Sequence, residues 1–151
     1  MHSLSSLVSY FTSACARFTK LEVRILDSVR SKLDAGTAEL WDKQIQAINK
    51  IQRLPEGVEV NFYRMQKRRP SFDLSLAFQN RTEELLVAEV QVGLPNRARE
   101  LTASLWCVRG FLFSIEYVGS SSYFEEAAGM DPPLDMVVRC QLIGDLSTRA
   151  G

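Results

Sequence analysis

Residues 105–119, with the sequence LWCVRGFLFSIEYVG, can form either a β-hairpin or the end of a helix. In the hairpin, Arg109-Gly110 is the two-residue turn, where glycine adopts the positive φ that such turns require. In the helical alternative, Asn96 caps a helix that Gly110 ends. Pairing outward from the turn places mostly large or β-branched side chains opposite one another, which favours the hairpin. The predicted pairs are Val108 with Phe111, Trp106 with Phe113, Ser104 with Ile115 and Thr102 with Tyr117.

The predicted hairpin has two faces, and both are largely apolar. We expect the second face to carry Leu112 and Glu116 together with Leu101, Ala103, Leu105, Cys107, Ser114 and Val118. Helices from the N-terminal part of the chain can cover one face. Any part of the other face that remains uncovered is a docking surface, and Leu112 and Glu116 are its predicted partner contacts. In the alternative, the chain covers both faces itself.

Upstream of the hairpin, apolar residues recur at intervals of three and four and predict three helices. These helices cover about residues 4–18, 19–36 and 37–54. Thr19 and Glu22 form a capping box at the start of the second helix. Gly36 is expected to close that helix and Thr37 to cap the third.

From Val58 the apolar period changes to two, which is typical of strands. Besides the hairpin, alternating segments predict strands near residues 58–63, 72–79, 86–92 and 134–143, with a short helix beginning at Ser122. We therefore predict an α+β fold in one domain, residues 1–151. Three N-terminal helices pack on an antiparallel meander sheet of five or six strands, and the short helix precedes the last strand. The helical part covers about 4–54 and the sheet part about 58–143.

The composition excludes several classes of protein. Eighteen basic and eighteen acidic residues balance, so the overall charge attracts neither nucleic acid nor an anionic membrane. No apolar run approaches the roughly 20 residues that span a bilayer. The three cysteines are widely spaced and are typical of a reducing compartment, so we expect a cytoplasmic protein.

Most catalytic constellations are missing from the sequence. The only histidine is His2, which removes serine–histidine and cysteine–histidine nucleophilic sites. The glycines form no phosphate-binding loop. We predict no cofactor, no catalytic residue and no metal ligand in the favoured interpretation.

One enzymatic alternative stays open. Asp73, followed on the next predicted strand by Glu89-Val90-Gln91, resembles the metal-binding pattern of the PD-(D/E)xK nuclease superfamily, with glutamine in place of the usual lysine. The resemblance covers about residues 71–92. It implies a Mg²⁺-dependent nuclease-like domain, degenerate because the lysine is absent, with Asp73, Glu89 and Gln91 as the site.

A basic cluster, Lys67-Arg68-Arg69, lies at a predicted turn and is a second candidate contact for an acidic partner. This basic cluster has no interleaved aromatic residues on which bases could stack, so we do not expect nucleic acid as a ligand. The function predicted from the sequence is therefore a non-enzymatic protein-binding module, of the immunity or adaptor type, that uses an apolar sheet face. Its partner is another protein, which includes a second copy of the chain.

Overall fold

A computed structural model describes residues 18–149, in which three helices and eight strands form an α+β fold. The helices are α1 (Lys20–Arg30), α2 (Ala35–Ala47) and α3 (Ser122–Gly129). The strands are β1 (Lys50–Arg53), β2 (Glu59–Tyr63), β3 (Met65–Gln66), β4 (Arg69–Pro70), β5 (Leu85–Gly93), β6 (Glu100–Val108), β7 (Phe111–Val118) and β8 (Val137–Leu142). Among these residues, no helix is both long enough and apolar enough to cross a membrane.

Six of the strands form one antiparallel sheet in the order β1-β2-β7-β6-β5-β8, while β3 and β4 form a separate small hairpin. The predicted antiparallel sheet and the short helix before the last strand are thus confirmed. The order is not a simple meander, because β2 pairs with β7 and β8 returns to pair with β5.

Two of the three predicted N-terminal helices are present, and the first prediction, over residues 4–18, lies outside the described residues except for Phe18. α1 begins at the predicted capping box, where Thr19 and Glu22 bond each other's backbone N–H groups. α2 begins earlier than predicted, because Asp34 caps it and accepts a hydrogen bond from the backbone N–H of Thr37. Gly36 therefore lies inside α2 and does not close α1.

The sequence prediction extended α2 too far and missed a strand. Ile48 and Ile51 continue the helical spacing, but α2 ends at Ala47, and residues 50–53 pair with β2 as strand β1. The 3₁₀ turn Pro55–Gly57 joins these two strands. Pairing with a neighbouring strand satisfies the backbone of Lys50–Arg53, which local spacing cannot reveal.

The strand predicted over residues 72–79 is wrong. This segment is a loop with one 3₁₀ turn, Leu74–Leu76, which Asp73 caps. Phe72 and Leu74 are largely exposed, whereas Phe78 is buried against the ring of Trp41, with centroids 6.3 Å apart. The alternation in this segment therefore does not mark a two-sided strand.

The hairpin at Arg109-Gly110 is confirmed, but its register changes at a bulge. Both turn residues have positive φ, and Val108 pairs with Phe111 as predicted. Phe113 is then an extra residue in β7, so Trp106 lies opposite Ser114. The predicted pairs of Trp106, Ser104 and Thr102 are therefore wrong by one residue. Because alternate residues of a strand face opposite sides, the bulge separates Leu112 from Glu116.

One face of the sheet holds the core. All three helices pack on this face, which includes Val60, Leu105, Leu112 and Ile115. We call the opposite side of the sheet the open face.

Candidate functional site

The open face is defined by the side chains that alternate with the core residues along the central strands. They are Glu59, Asn61 and Tyr63 on β2, Phe113, Ser114, Glu116 and Val118 on β7, Thr102, Ser104, Trp106 and Val108 on β6, and Leu86, Glu89 and Gln91 on β5. Most of them are partly exposed, and Val118 is 72% exposed. No helix of the described residues belongs to the packing on this side, so within residues 18–149 the open face is a sheet surface that no helix covers.

A row of carboxylates crosses the open face. Glu59 lies directly opposite Glu116 on the neighbouring strand, and Ser104 continues the row to Glu89. None of the ion pairs within residues 18–149 includes these three carboxylates. Like charges directly opposite each other on a sheet destabilise it. The row is therefore a negative surface that a cationic ligand would stabilise.

An aromatic cluster lies beside this row. The rings of Tyr63 and Phe113 meet edge to face, with centroids 5.6 Å apart, and Trp106 lies on the adjacent strand. The bulge puts Phe113 beside Trp106 on the same side of the sheet. The open face therefore combines acidic groups with aromatic surface, and aromatic residues are enriched in protein interfaces.

The aromatic and acidic groups surround a shallow cavity of about 140 Å³. It is lined by Glu59, Asn61, Glu84, Trp106, Val108, Phe113, Ser114 and Glu116. Two buried polar atoms among these residues have no hydrogen-bond partner in the described part of the chain, the Asn61 Oδ1 and the Trp106 Nε1. Buried polar atoms are nearly always paired in folded proteins, so the two unpaired atoms are groups that a ligand in this cavity could satisfy.

Two side chains from the core side hold the hairpin that carries this cavity. β2 pairs with β7 only at residues 114–116 of β7. The part of β7 nearer the hairpin turn, residues 111–113, therefore has no neighbouring strand on that side among the described residues. There, the Leu112 N–H donates to Gln44 Oε1 at 2.8 Å, and the Leu112 carbonyl accepts from Arg64 at 3.2 Å. Gln44 Nε2 also donates to the carbonyls of Leu76 and Gly110. These two side chains replace the missing strand and fix the hairpin turn.

Arg64 is buried without a carboxylate partner among the described residues. Its guanidinium contacts Gln44 Oε1 and the face of Phe111, with 5.4 Å from the guanidinium carbon to the ring centroid. Burial lowers the pKa of Arg64 to about 10. Arg64 thus acts as a structural donor inside the fold rather than as part of an exposed basic surface.

A second polar cluster lies at the start of α1. Arg53 donates to both carboxylate oxygens of the fully buried Glu22, at 2.8 and 2.9 Å. The Thr19 hydroxyl donates to Glu125 at 3.1 Å. Burial, followed by the charge of nearby Glu22, raises the pKa of Glu125. This cluster joins α1, β1 and α3, and its paired groups indicate a structural role.

The structure places the predicted partner contacts in three different environments. Leu112 is fully buried under the helices and does not share a face with Glu116, contrary to the prediction. Glu116 is exposed on the open face. Lys67, Arg68 and Arg69 are exposed on the small β3–β4 hairpin, which is not part of the six-stranded sheet.

The structure does not bring together the three residues of the nuclease-like alternative. Glu89 and Gln91 lie on the open face of β5, whose neighbours are β6 and β8. Asp73 lies in the loop after β4, where its carboxylate accepts hydrogen bonds from the Ser75 N–H and hydroxyl. Within residues 18–149, no group of three or more His, Cys, Asp or Glu side chains could hold a metal ion. This alternative therefore gains no support from the arrangement.

Sequence reasoning missed the roles of Asn61, Tyr63 and Phe113. Asn61 and Tyr63 alternate with apolar residues of β2, a signal that places them on the polar side of the strand. The position of Phe113 carries no such signal, because a bulge has no local sequence pattern here.

The fold and the site together define an α+β protein with one helix-covered sheet face and one open, acidic and aromatic face. No protein-family model, curated protein or solved structure that we compared with the chain matches it.

Proposed function

We propose that this protein is a non-enzymatic protein-binding module, of the immunity or adaptor type, and that it binds its partner through the open face. The observation that supports this proposal is the joint presence of partly buried aromatic side chains and unpaired carboxylates on a sheet face that no described helix covers. Aromatic residues at the centre of a patch commonly dominate the binding energy, while charges around them select the partner.

The charge of the open face favours a partner other than a second copy of the chain. A symmetric dimer brings the same patch of both subunits together. Docking through the open face would then bring together two patches that each carry Glu59, Glu89 and Glu116, and this accumulation of negative charge opposes association. The favoured partner is a different protein with a basic and apolar surface.

The test uses the full-length tagged chain in its source cell, with two charge-reversing variants. Glu116 lies on the open face, whereas Glu126 is exposed on α3. We expect the parent and Glu126→Arg to retain one stoichiometric partner and Glu116→Arg to lose it. With the purified partner, calorimetry should show at least about a tenfold weaker Kd for Glu116→Arg, or about 1.4 kcal/mol.

Both variants alter exposed side chains, so their Tm should stay close to that of the parent. Unchanged partner binding in Glu116→Arg and also in Trp106→Ala would refute the proposal. A toxin as the captured partner would assign the protein to the immunity type, and a non-toxic partner to the adaptor type.

A further inference from the structure

The side chains that line the cavity on the open face favour one kind of ligand group. Glu59 and Glu116 lie opposite each other at one side, and Glu84 contributes a third carboxylate. None of these three carboxylates takes part in an ion pair within residues 18–149. The cavity is therefore suited to a cation.

A second feature of the cavity, independent of its carboxylates, points to a ligand with N–H donors. Asn61 is only 8% exposed, and its Oδ1 has no hydrogen-bond donor in the described part of the chain. An acceptor that is buried and unpaired costs free energy until a donor reaches it. A ligand group that carries several N–H donors would remove that cost, whereas the other unpaired atom of the cavity, the Trp106 Nε1, needs an acceptor such as a peptide carbonyl of the same ligand.

The aromatic walls favour a flat cation. Trp106 and Phe113 line the cavity beside the carboxylates. A guanidinium group is planar, stacks on aromatic rings and bonds carboxylates through two parallel N–H groups. The volume of about 140 Å³ is large enough to admit a guanidinium group.

We infer that this cavity receives an arginine side chain of the protein partner. The inference rests on the proposed function and adds the chemical identity of the group that the open face recognises. Glu59 and Glu116 bond the guanidinium, Asn61 accepts one of its N–H groups, and Trp106 and Phe113 contact its flat surface and its methylene groups. A metal ion fits less well, because Glu59, Glu84 and Glu116 line the cavity without forming a group that could hold a metal ion among the described residues.

The test is an NMR titration of the full-length chain. The sequence has two tryptophans, so the indole N–H of Trp106 reports on the cavity and that of the buried Trp41 serves as an internal reference. The probe is the peptide acetyl-Leu-Arg-Leu-amide. Its matched control replaces arginine with citrulline, which has nearly the same shape and no charge.

We expect the arginine peptide to shift the Trp106 signal saturably and to leave the Trp41 signal in place. The citrulline peptide should bind at least about tenfold more weakly, because hydrogen bonds to charged groups are roughly twice as strong as neutral ones. Glu116→Gln should remove this preference, and Glu126→Gln should retain it.

Three results of the peptide titration would overturn the inference: equal binding of the two peptides, an unchanged preference in Glu116→Gln, or no shift of Trp106 with either peptide. A shift of Trp106 by Mg²⁺ alone that competes with the peptide would also overturn it, in favour of a metal site. If the natural partner is still lost on Glu116→Arg in any of these cases, the proposed function stands and only the arginine assignment fails. If the partner is retained, the proposed function fails separately.

Discussion

Replacement of Gln44 by leucine should destabilise the protein, although both side chains have similar size and Gln44 contacts no ligand. Gln44 is fully buried in α2 and makes hydrogen bonds to Leu76, Gly110 and Leu112, and to Arg64. Leucine can make none of these bonds. The Gly110 carbonyl keeps its hydrogen bond from the Phe78 N–H, so it is not left unpaired.

The magnitude follows from the groups that lose a partner. The Leu112 N–H is buried, and an unsatisfied buried donor costs about 1–3 kcal/mol. The partly buried Leu76 carbonyl adds about 1 kcal/mol. The greater hydrophobicity of leucine offsets about 1 kcal/mol of this loss. We expect a net loss of about 1–3 kcal/mol in the free energy of unfolding, which lowers Tm by about 2–12 °C for a chain of this size.

The assay is urea unfolding of the full-length chain, followed by tryptophan fluorescence. The matched control is Gln46→Leu, because Gln46 is exposed on the same helix. The control should change the free energy of unfolding by no more than about 0.5 kcal/mol. An unchanged m-value would show that the difference lies in stability and not in the compactness of the unfolded state. If Gln44→Leu loses no more stability than Gln46→Leu, the reasoning that Gln44 replaces a missing strand is refuted.

Two further predictions concern the acidic residues. The pKa of the Glu125 carboxyl group is higher in the folded state than in the unfolded state. Its contribution to the stability of the folded state is therefore complete below the unfolded-state pKa, about 4.3, and is lost as the pH rises through the folded-state pKa. Glu125→Gln, which can still accept the bond from Thr19, should therefore match the parent in Tm near pH 4 and exceed it at pH 7; a lower Tm at pH 7 would contradict this. Glu116→Gln relieves the repulsion from Glu59 and should raise the free energy of unfolding by a few tenths of a kcal/mol at low salt, an effect that high salt should reduce. A loss of stability in Glu116→Gln, measured by thermal unfolding at both salt concentrations, would mean that the carboxylate row is not repulsive.

The local sequence was sufficient for elements whose signals lie within a few residues. The capping box at Thr19 and Glu22 predicted the start of α1, because both hydrogen bonds form within one turn. The turn at Arg109-Gly110 and the alternation of Leu86–Val92 predicted the hairpin and β5 for the same reason.

The candidate site was predicted only in part. The sequence indicated that Glu116 lies on a sheet face that a partner could contact, and the structure places its side chain on the open face. The sequence prediction also placed Leu112 on the same face as Glu116, which is wrong. Phe113 is an extra residue in β7, so the side chains of Leu112 before it and Glu116 after it point to opposite faces of the sheet. One unpaired residue is enough to move every following side chain to the other face.

The sequence by itself determined the start of α1, the hairpin turn at Arg109-Gly110 and strand β5, because each depends on residues close together along the chain. Only the tertiary structure decided that Lys50–Arg53 is a strand, that residues 72–79 are not, and that acidic and aromatic residues from four strands share the open face. These outcomes depend on which distant segment satisfies each backbone group and on a bulge in the register. Neither is encoded in the local spacing of apolar residues.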